Sequence, residues 1–420
     1  MVSQNRVRAQ SRPINIPLHR RRKICPRPTH SMSPSVVVLG AGPVGLWTAI
    51  QMKKRAPATS IFVYERYQSY RRSHLLRLSV DSLRRFACKD ETSSEAEFFR
   101  DITGEASDAR RVRHISLRTQ ELESTLRRYA EALGIVIRYE EIKSTQALRE
   151  RHPDCQRFVG ADGAHSLVRR EIFDDEYSVK KDLHFVAELK YDVVGRTRPL
   201  DLLTEQYRSL KLMPHSVFEY VGRERDSLTP ITLRFFIDQD VYNAIGKATF
   251  KSPVTVENYR EKLPPKLSKA INLYLTIRKE LLGDDPMFST MKLGTLTLGV
   301  YGSATFAKRR EGAEWYLVGD AAMGVPFFRS LNAGLLCGSK LAQLLSYGSE
   351  LAVDYNGYAS RRLAIEHFRA RLKSAGLNLH TAFVRASAVV PWQVNRWRRQ
   401  DIEHYMQRLY EDEAEESREL

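Results

Sequence analysis

In the segment Val36–Gly45, three glycines have the spacing G-x-G-x-x-G. The glycines follow a short β-branched apolar run, Ser35–Leu39, which is typical of a buried parallel strand. Val44–Arg55 then has helical character, and Ile61–Tyr64 is again apolar and β-branched or aromatic. Strand, glycine turn, helix and strand in this order predict a βαβ unit at the start of an α/β domain.

Each glycine of the motif has a distinct physical role. Gly40 permits the tight turn, Gly42 lets the backbone approach a pyrophosphate at the helix N-terminus, and Gly45 allows close helix packing. Glu65 ends the second strand, twenty residues after Gly45, where a carboxylate accepts hydrogen bonds from ribose hydroxyls. The pattern therefore predicts a Rossmann-type dinucleotide site, and its candidate binding residues here are Gly40, Gly42, Pro43, Val44, Gly45, Glu65 and Arg66.

The composition excludes disorder as the general state of the chain, because 42% of its 420 residues are hydrophobic, enough to bury cores for two or three domains. The net charge of +17 is unevenly placed. Residues 1–34 hold eight Lys and Arg and no acid, together with prolines that oppose a helix, so we expect a basic disordered leader. A mitochondrial presequence is the alternative for this segment. Nucleic-acid binding is not expected, because no recognition module follows it.

The four cysteines are widely separated and form no C-x-x-C pair, which argues against a zinc site or a disulfide framework. We therefore expect an intracellular location, in the cytoplasm. No segment is predicted to span a membrane, although peripheral membrane contact and the oligomeric state are left open. No metal-binding, P-loop or hydrolase motif is present, so no metal ion is expected.

The remaining chain divides into stretches with different hydrophobic patterns. Thr119–Leu133 and Ile135–Tyr139 form a second helix-to-strand unit, whereas the stretch from 182 to 300 has alternating segments typical of an antiparallel sheet. Rossmann character returns at Trp315–Val318. We therefore expect a dinucleotide-binding domain formed from 35–181 and 301–350, a β-sheet substrate domain over 182–300, and a helical C-terminal region over 351–420.

Two later motifs suggest which dinucleotide is bound. Phe158–Arg169 reads F-V-G-A-D-G-A-H-S-L-V-R and Trp315–Ala322 reads W-Y-L-V-G-D-A-A. Together with the first glycine motif they resemble the three motifs of FAD-dependent monooxygenases of the p-hydroxybenzoate hydroxylase type, in the same order. The resemblance implies FAD as cofactor and an α/β fold: a Rossmann-type FAD-binding domain with an inserted antiparallel β-sheet domain and a helical C-terminal region.

The resemblance also implies roles for single residues. Gly319 and Asp320 would contact the ribityl chain of FAD, although Asp320 could instead, or in addition, cap the following helix. Asp162, with Gly163 and Arg169, would belong to a surface shared by FAD and NAD(P)H. The alternative for Asp162 is a turn residue.

Residues 65–76 and 114–123 look like the corresponding stretches of kynurenine hydroxylase and MICAL-type flavin domains. In those proteins an Arg or Gln at the start of a helix touches FAD, and both Arg118 and Gln120 fit that role here. Arg72 matches an arginine that follows the acidic strand end. A solvated arginine in an Arg-rich loop is the alternative for Arg72.

The segment after Asp320 departs from the family pattern. Met323 replaces the usual His, and Pro326–Gly334 lacks the two inner glycines, while Asn332 still fits a cofactor contact. Arg329 is a candidate to supply charge to the flavin or to bind an acidic substrate, and the candidate substrate-pocket residues are Phe327, Phe328 and Arg329. The alternative is that the loop has drifted and the flavin chemistry is impaired.

The expected function is hydroxylation of a small organic, aromatic substrate by FAD, molecular oxygen and transiently bound NADPH or NADH. No side chain need act as a nucleophile, so no catalytic residue is assigned. The alternatives are a flavin-dependent epoxidase or reductase of an isoprenoid-like substrate, and a non-catalytic Rossmann-like dinucleotide-binding protein.

Overall fold

A computed structural model describes residues 34–68, 75–88, 93–103, 114–200, 215–246, 248–249, 252–326, 329–348 and 352–389. The predicted leader, residues 1–34, lies outside the described residues except for Pro34.

The first half of the described chain contains β1 (Val36–Leu39), α1 (Pro43–Arg55), β2 (Ile61–Glu65), β3 (Leu75–Ser79), α2 (Val80–Arg84), α3 (Ser93–Thr103), β4 (His114–Arg118), α4 (Thr119–Ala132), β5 (Val136–Tyr139), α5 (Thr145–Arg151), β6 (Arg157–Gly160) and α6 (Leu167–Ile172). The second half contains β7 (Tyr177–Val194), β8 (Ser216–Val221), β9 (Leu228–Ile237), α7 (Gln239–Ile245), α8 (Tyr259–Lys262), α9 (Pro265–Leu282), β10 (Pro286–Ser303), β11 (Ala307–Arg310), β12 (Ala313–Leu317), β13 (Met323–Gly324), α10 (Arg329–Tyr347) and α11 (Ala352–Val389).

The first layer is a six-stranded sheet with the order β11-β12-β6-β1-β2-β5. All neighbours pair in parallel except β11, which is antiparallel to β12. All four residues of β1 are buried, as expected for a central parallel strand covered by helices on both faces. Because β1, β2, β6 and β12 are parallel, the loops that follow them leave the sheet at the same edge.

The second layer is a five-stranded antiparallel sheet with the order β13-β10-β7-β9-β8. It has its own core, in which Phe235 of β9 and Tyr274 of α9 contact each other with ring centroids 6.3 Å apart. The strands β7 and β10 have 18 residues each, and Val179, Leu183 and Val300 at one end of this pair pack in the core of the first layer. β13, from the segment after Asp320, pairs with the end of β10 and so joins the antiparallel sheet.

Helix α10 crosses α1 at very short range. A Cβ atom at Gly334 would lie 2.8 Å from Val44 Cγ2, and one at Gly338 would lie 2.2 Å from Thr48 Oγ1. The two glycines therefore let α10 lie directly on the first turns of α1. The longest helix, α11, has 38 residues and follows α10.

The expected α/β fold class is confirmed: a parallel Rossmann-like sheet, an antiparallel sheet and C-terminal helices are all present. Among the helices of the described residues, none has both the length and the apolar character needed to span a bilayer.

A candidate dinucleotide site at the edge of the parallel sheet

The glycine loop after β1 shows which of its glycines are required by packing. Gly40 has φ of +107°, and a Cβ there would lie 2.3 Å from the carbonyl oxygen of Ala161. A Cβ at Gly45 would lie 2.0 Å from the carbonyl oxygen of Gly40. At Gly42, by contrast, a Cβ would meet no atom within 4 Å. Gly42 is the N-cap of α1, so the helix N-terminus begins beside open space, where an anionic group can approach the backbone.

The carboxylate of Glu65 is bound to this loop. Its Oε2 accepts a hydrogen bond from Ala41 N at 3.0 Å, and its Oε1 accepts one from Tyr67 N at 3.1 Å. Each carboxylate oxygen can accept more than one hydrogen bond, so Glu65 keeps capacity for ribose hydroxyls. Arg66 is exposed and its guanidinium lies 4.7 Å from the ring centroid of Tyr67.

Asp162 follows β6, and only one of its two carboxylate oxygens is hydrogen-bonded. Its Oδ2 accepts hydrogen bonds from Leu167 N at 2.5 Å and Val168 N at 3.4 Å, which caps the start of α6. Its Oδ1 is buried and has no hydrogen-bond partner among the described residues. Burial raises the pKa of this carboxyl, against hydrogen bonds from Ser166 and the backbone of Leu167. A buried acceptor without a partner is costly, so Oδ1 is a fitting place for a ligand donor.

The buried side chain of Arg169 connects the loop after β6 with the loop after β12. Arg169 is 2% exposed, and its side chain donates to the carbonyl oxygens of Ala164 at 2.6 Å and Ala321 at 2.9 Å. The hydroxyl of Tyr301 donates to the carbonyl oxygen of Asp320 at 2.8 Å. Arg169 therefore holds the two loops together and does not belong to an exposed cofactor surface.

Asp320 lies in a short 3-10 helix, Gly319–Ala321, after β12. It is not the N-cap of α10, which begins at Arg329, but its Oδ1 accepts a hydrogen bond from the Ser330 hydroxyl. Gly319 has φ of +61°, and a Cβ there would lie 3.1 Å from Val44 Cβ. The third motif loop therefore contacts the first turn of α1.

The register of the parallel sheet explains why these loops meet. Leu39 pairs with Tyr64 and with Gly160, and Gly160 pairs with Leu317. The residues that follow these four positions leave the sheet at one level. The loops that they begin are in contact with one another, through Ala41 with Glu65, Gly40 with Ala161, and Val44 with Gly319. The structure therefore brings the three motif loops to one site rather than to separate cavities.

Two residues of the segment Pro326–Gly334, which departs from the family pattern, have protein partners. Asn332 Oδ1 accepts hydrogen bonds from Ser79 N and from the Ser82 hydroxyl, both at 2.8 Å. The guanidinium of Arg329 forms a two-point ion pair with Glu366 of α11, whose side chain is 0% exposed. Arg329 thus has a buried carboxylate as its partner. Arg72, Phe327 and Phe328 lie outside the described residues.

Arg118 and Gln120, which the sequence left as equal candidates, are placed differently. Gln120 is exposed, whereas Arg118 is half-buried and lines a cavity of about 330 Å³. The cavity lies between α3, α4 and the hairpin that joins β8 to β9. Sequence reasoning missed this cavity, because its two walls are about a hundred residues apart and no motif marks the hairpin.

No protein-family model and no curated protein matches the chain by sequence. Solved structures do match. CmlS, a flavin-dependent halogenase, has a TM-score of 0.56 at 12% identity over 89% of this chain and 70% of its own. CtdE, whose structure contains FAD and a substrate, has a TM-score of 0.52 at 14% identity over 80% of this chain and 88% of its own. BexE, studied for oxidation during BE-7585A biosynthesis, has a TM-score of 0.52 at 18% identity over 85% and 74%.

The chain has the fold of a flavin-dependent enzyme. The structural part of the expected resemblance is thereby confirmed, and at these identities the likeness establishes the fold alone. In this flavin-enzyme fold, the residues that converge are Gly42, Glu65, Asp162 and Asp320, each in a loop at the carboxyl edge of the parallel sheet.

Proposed function

We propose that the chain is an FAD-dependent monooxygenase that uses NAD(P)H and molecular oxygen to hydroxylate a small organic, aromatic substrate. The observation that carries this proposal is the meeting of three motif loops at one sheet edge, beside the open position at Gly42. The likeness of the fold to a flavin-dependent halogenase and to an FAD-bound enzyme supports the choice of cofactor.

The residues at the sheet edge fit FAD. The backbone from Gly42 to Val44, at the N-terminus of α1, would bind the pyrophosphate. Glu65 would accept hydrogen bonds from the ribose hydroxyls, and Asp320 from the ribityl hydroxyls. The unpartnered Oδ1 of Asp162 would accept a further donor at the same edge. The bound flavin supplies the electron storage and the oxygen chemistry that no side chain provides.

The protein's own part is to orient the reactants and to exclude water. The antiparallel sheet continues from the same edge, because β13 follows Asp320 directly and pairs with β10. Arg169 and Tyr301 fix the carbonyl oxygens of the Asp320 loop, so the Asp320 carboxylate is held in place before any ligand binds. Pre-organised contacts of this kind cost no rearrangement when the cofactor binds.

The first test is the Gly42→Ala variant. Gly42 has φ of −67° and ψ of 171°, which alanine adopts without strain, and the added Cβ meets no protein atom. We expect a folded protein with an unchanged unfolding temperature that has lost most of its FAD affinity, because the methyl group occupies the phosphate position. Circular dichroism and flavin fluorescence titration measure the two properties separately.

The matched control is Gly357→Ala on α11, where an added Cβ also meets nothing within 4 Å but lies outside the sheet edge. This variant should bind FAD as the unchanged chain does. A purified wild-type chain that stays colourless after incubation with FAD would contradict the proposal.

The second test is turnover. Oxidation of NAD(P)H and uptake of oxygen should rise when aromatic compounds are added to the FAD-loaded protein. A chain that binds FAD but never consumes oxygen would instead be a non-catalytic binding protein.

A further inference from the structure

We propose that Arg127 of α4 is a positioning residue for the adenosine end of FAD, because it connects the segment that follows Glu65 to the end of β5. This inference rests on the proposed function, since it concerns the ribose contact of the same site. Arg127 lies outside the three sequence motifs, and the fold brings it to the site. Its role is to orient the carboxylate that accepts from the ribose.

Arg127 has hydrogen-bond partners in three parts of the chain. Its Nη1 donates to the carbonyl oxygen of Gln68 at 2.8 Å and to the hydroxyl of Tyr139 at 2.7 Å. Its Nε donates to Oε1 of Glu123 at 2.9 Å, and its Nη2 donates to the same oxygen. One guanidinium therefore connects α4, the segment after β2 and the end of β5.

The two backbone segments that Arg127 contacts lie on either side of Glu65. Tyr139 pairs with Glu65 in the parallel register of β2 and β5. In the other direction, Tyr67 N donates to Oε1 of Glu65 at 3.1 Å, and Gln68 is the next residue. The carboxylate that would bind the ribose is therefore placed by a segment whose far end is hydrogen-bonded to Arg127.

The pair that Arg127 forms with Glu123 is mostly buried. The side chain of Glu123 is 3% exposed, and that of Arg127 is 18% exposed. Burial raises the pKa of Glu123 and the charge of Glu65 adds to this, whereas Arg127 lowers it. Because a buried carboxylate that loses its cation is strongly destabilised, Glu123 keeps Arg127 at this position.

The shape of the guanidinium fits a positioning role. Its planar fork donates in several directions from one rigid group, whereas a lysine ammonium is a point charge on a flexible stem. Hydrogen bonds weaken steeply when the donor and the acceptor move out of line. The ribose contact therefore depends on how the backbone around Glu65 is held, and Arg127 contacts that backbone directly.

The next residue of the helix, Arg128, provides a matched control. It has the same charge and lies on the same helix, but it pairs with Asp101 of α3, 2.8 Å away, and its side chain is exposed. A change at Arg128 therefore removes a cation from α4 without removing a contact to the segment after Glu65.

The test measures binding of ADP, which contains the adenosine and the pyrophosphate of FAD, to the apoprotein by titration calorimetry. Arg127→Met should weaken ADP binding by about fivefold, roughly the contribution of one ordinary hydrogen bond, and should weaken FAD binding by the same factor. Arg128→Met should leave both affinities unchanged. At saturating FAD the absorbance spectrum of the flavin should be that of the wild type in every variant, because the change is confined to the adenosine end.

A second variant separates positioning from stability. Arg127→Met leaves the buried carboxylate of Glu123 without its cation, whereas the double variant Glu123→Gln with Arg127→Met removes both charges. The double variant should unfold at nearly the same urea concentration as Glu123→Gln alone. Only the double variant should lose ADP affinity, because Glu123→Gln keeps the hydrogen bonds of Arg127 to Gln68 and Tyr139.

Wild-type ADP affinity in the double variant would overturn the inference, and so would an equal loss of affinity in Arg128→Met. A changed flavin spectrum at saturating FAD would also overturn it, by showing that the effect is not confined to the adenosine end. A wild-type chain that binds ADP but not FAD would contradict the proposed function and leave the comparison of the variants intact.

Discussion

At the scale of single residues, Glu65 connects the second strand to the glycine loop. Its carboxylate accepts from Ala41 N, so the loop that would cradle a pyrophosphate is held in shape by the same residue that would bind the ribose. Local structure and ligand binding therefore depend on one side chain.

Glu65→Ala should lower FAD affinity by about tenfold or more, because hydrogen bonds to a charged group contribute about 1.5–3 kcal/mol. Fluorescence titration of the apoprotein with FAD measures the loss. The control is Glu140→Ala, which follows the neighbouring strand β5 but whose carboxylate pairs with Arg151 at the surface. Wild-type affinity in Glu65→Ala would show that Glu65 does not contact the cofactor.

His152 makes the stability of the parallel-sheet domain depend on pH. Its Nε2 is hydrogen-bonded to the Tyr64 hydroxyl at 2.7 Å, and burial, with the charges of Arg138 and Arg151, lowers its pKa from 6.5. Below pH 6.5 the unfolded chain binds a proton at this site that the folded chain does not yet bind. The contribution is therefore complete above pH 6.5 and is lost as the pH falls through the lowered pKa.

We expect the free energy of unfolding to decrease between pH 7 and pH 5, and to decrease less in His152→Gln, as measured by urea denaturation at both values. His184, whose pKa is also lowered by burial, adds a slope of the same sign in both proteins. Identical slopes for wild type and variant would exclude His152 as a source.

At the scale of elements, the crossing of α1 and α10 positions the candidate site. Gly334 and Gly338 admit Val44 and Thr48, and the Thr48 hydroxyl donates to the Val44 carbonyl oxygen at 2.7 Å. The first turn of α1, where an anion would bind, is therefore set by the packing of a helix about three hundred residues away in sequence.

Gly338→Ala should destabilise the fold by about 1–3 kcal/mol, because the added methyl group overpacks a closed helix contact. The comparison variant Gly357→Ala has no such contact and should stabilise α11 by about 0.5–1 kcal/mol. Thermal unfolding measures both, and equal stability of the two variants would contradict the close packing.

Helix α11 forms an ion pair with Arg329 of the segment that departs from the family pattern. Glu366 is buried and binds Arg329, Arg362 and Arg369. Burial raises the pKa of Glu366, but the hydrogen bonds and charges of these arginines outweigh it, so the pKa is lowered. The N-terminus of α10, next to the segment that departs from the family pattern, is thereby fixed by a C-terminal helix.

At the scale of the whole molecule, the candidate site is assembled from loops near residues 41, 65, 162 and 320. A ligand that binds them together connects parts of the chain that are distant in sequence. Binding to the folded state alone must therefore stabilise the entire fold.

FAD at about one hundred times its dissociation constant should stabilise the fold by about 2.7 kcal/mol. The shift appears as a higher unfolding temperature with FAD than without it. Gly42→Ala should show no shift at the same FAD concentration, and an equal shift in that variant would contradict the proposed position of the pyrophosphate.

The sequence predicted the βαβ opening and the later helix-to-strand unit α4–β5, but not β3, α2, α3 and β4, which lie between them. α1 begins at Pro43 rather than the expected Val44, and β2 ends at Glu65, the acid expected at the end of the second strand. These features are predictable because they depend on short-range causes: glycine spacing, apolar strand residues and helix signals within a few positions. The flavin fold was expected only from the resemblance of the three motifs, in their order, to those of a known family.

The partners of the charged side chains could not be read from the sequence, because they depend on the folded structure. Arg169 binds carbonyl groups of a loop about 150 residues away, Arg329 binds Glu366, and Arg118 shares a cavity with Arg223. An arginine in a sequence has the same chemistry whether it binds a ligand, a carboxylate or water. The choice depends on burial and on distances between segments that meet only when both sheets and the helix α11 are packed.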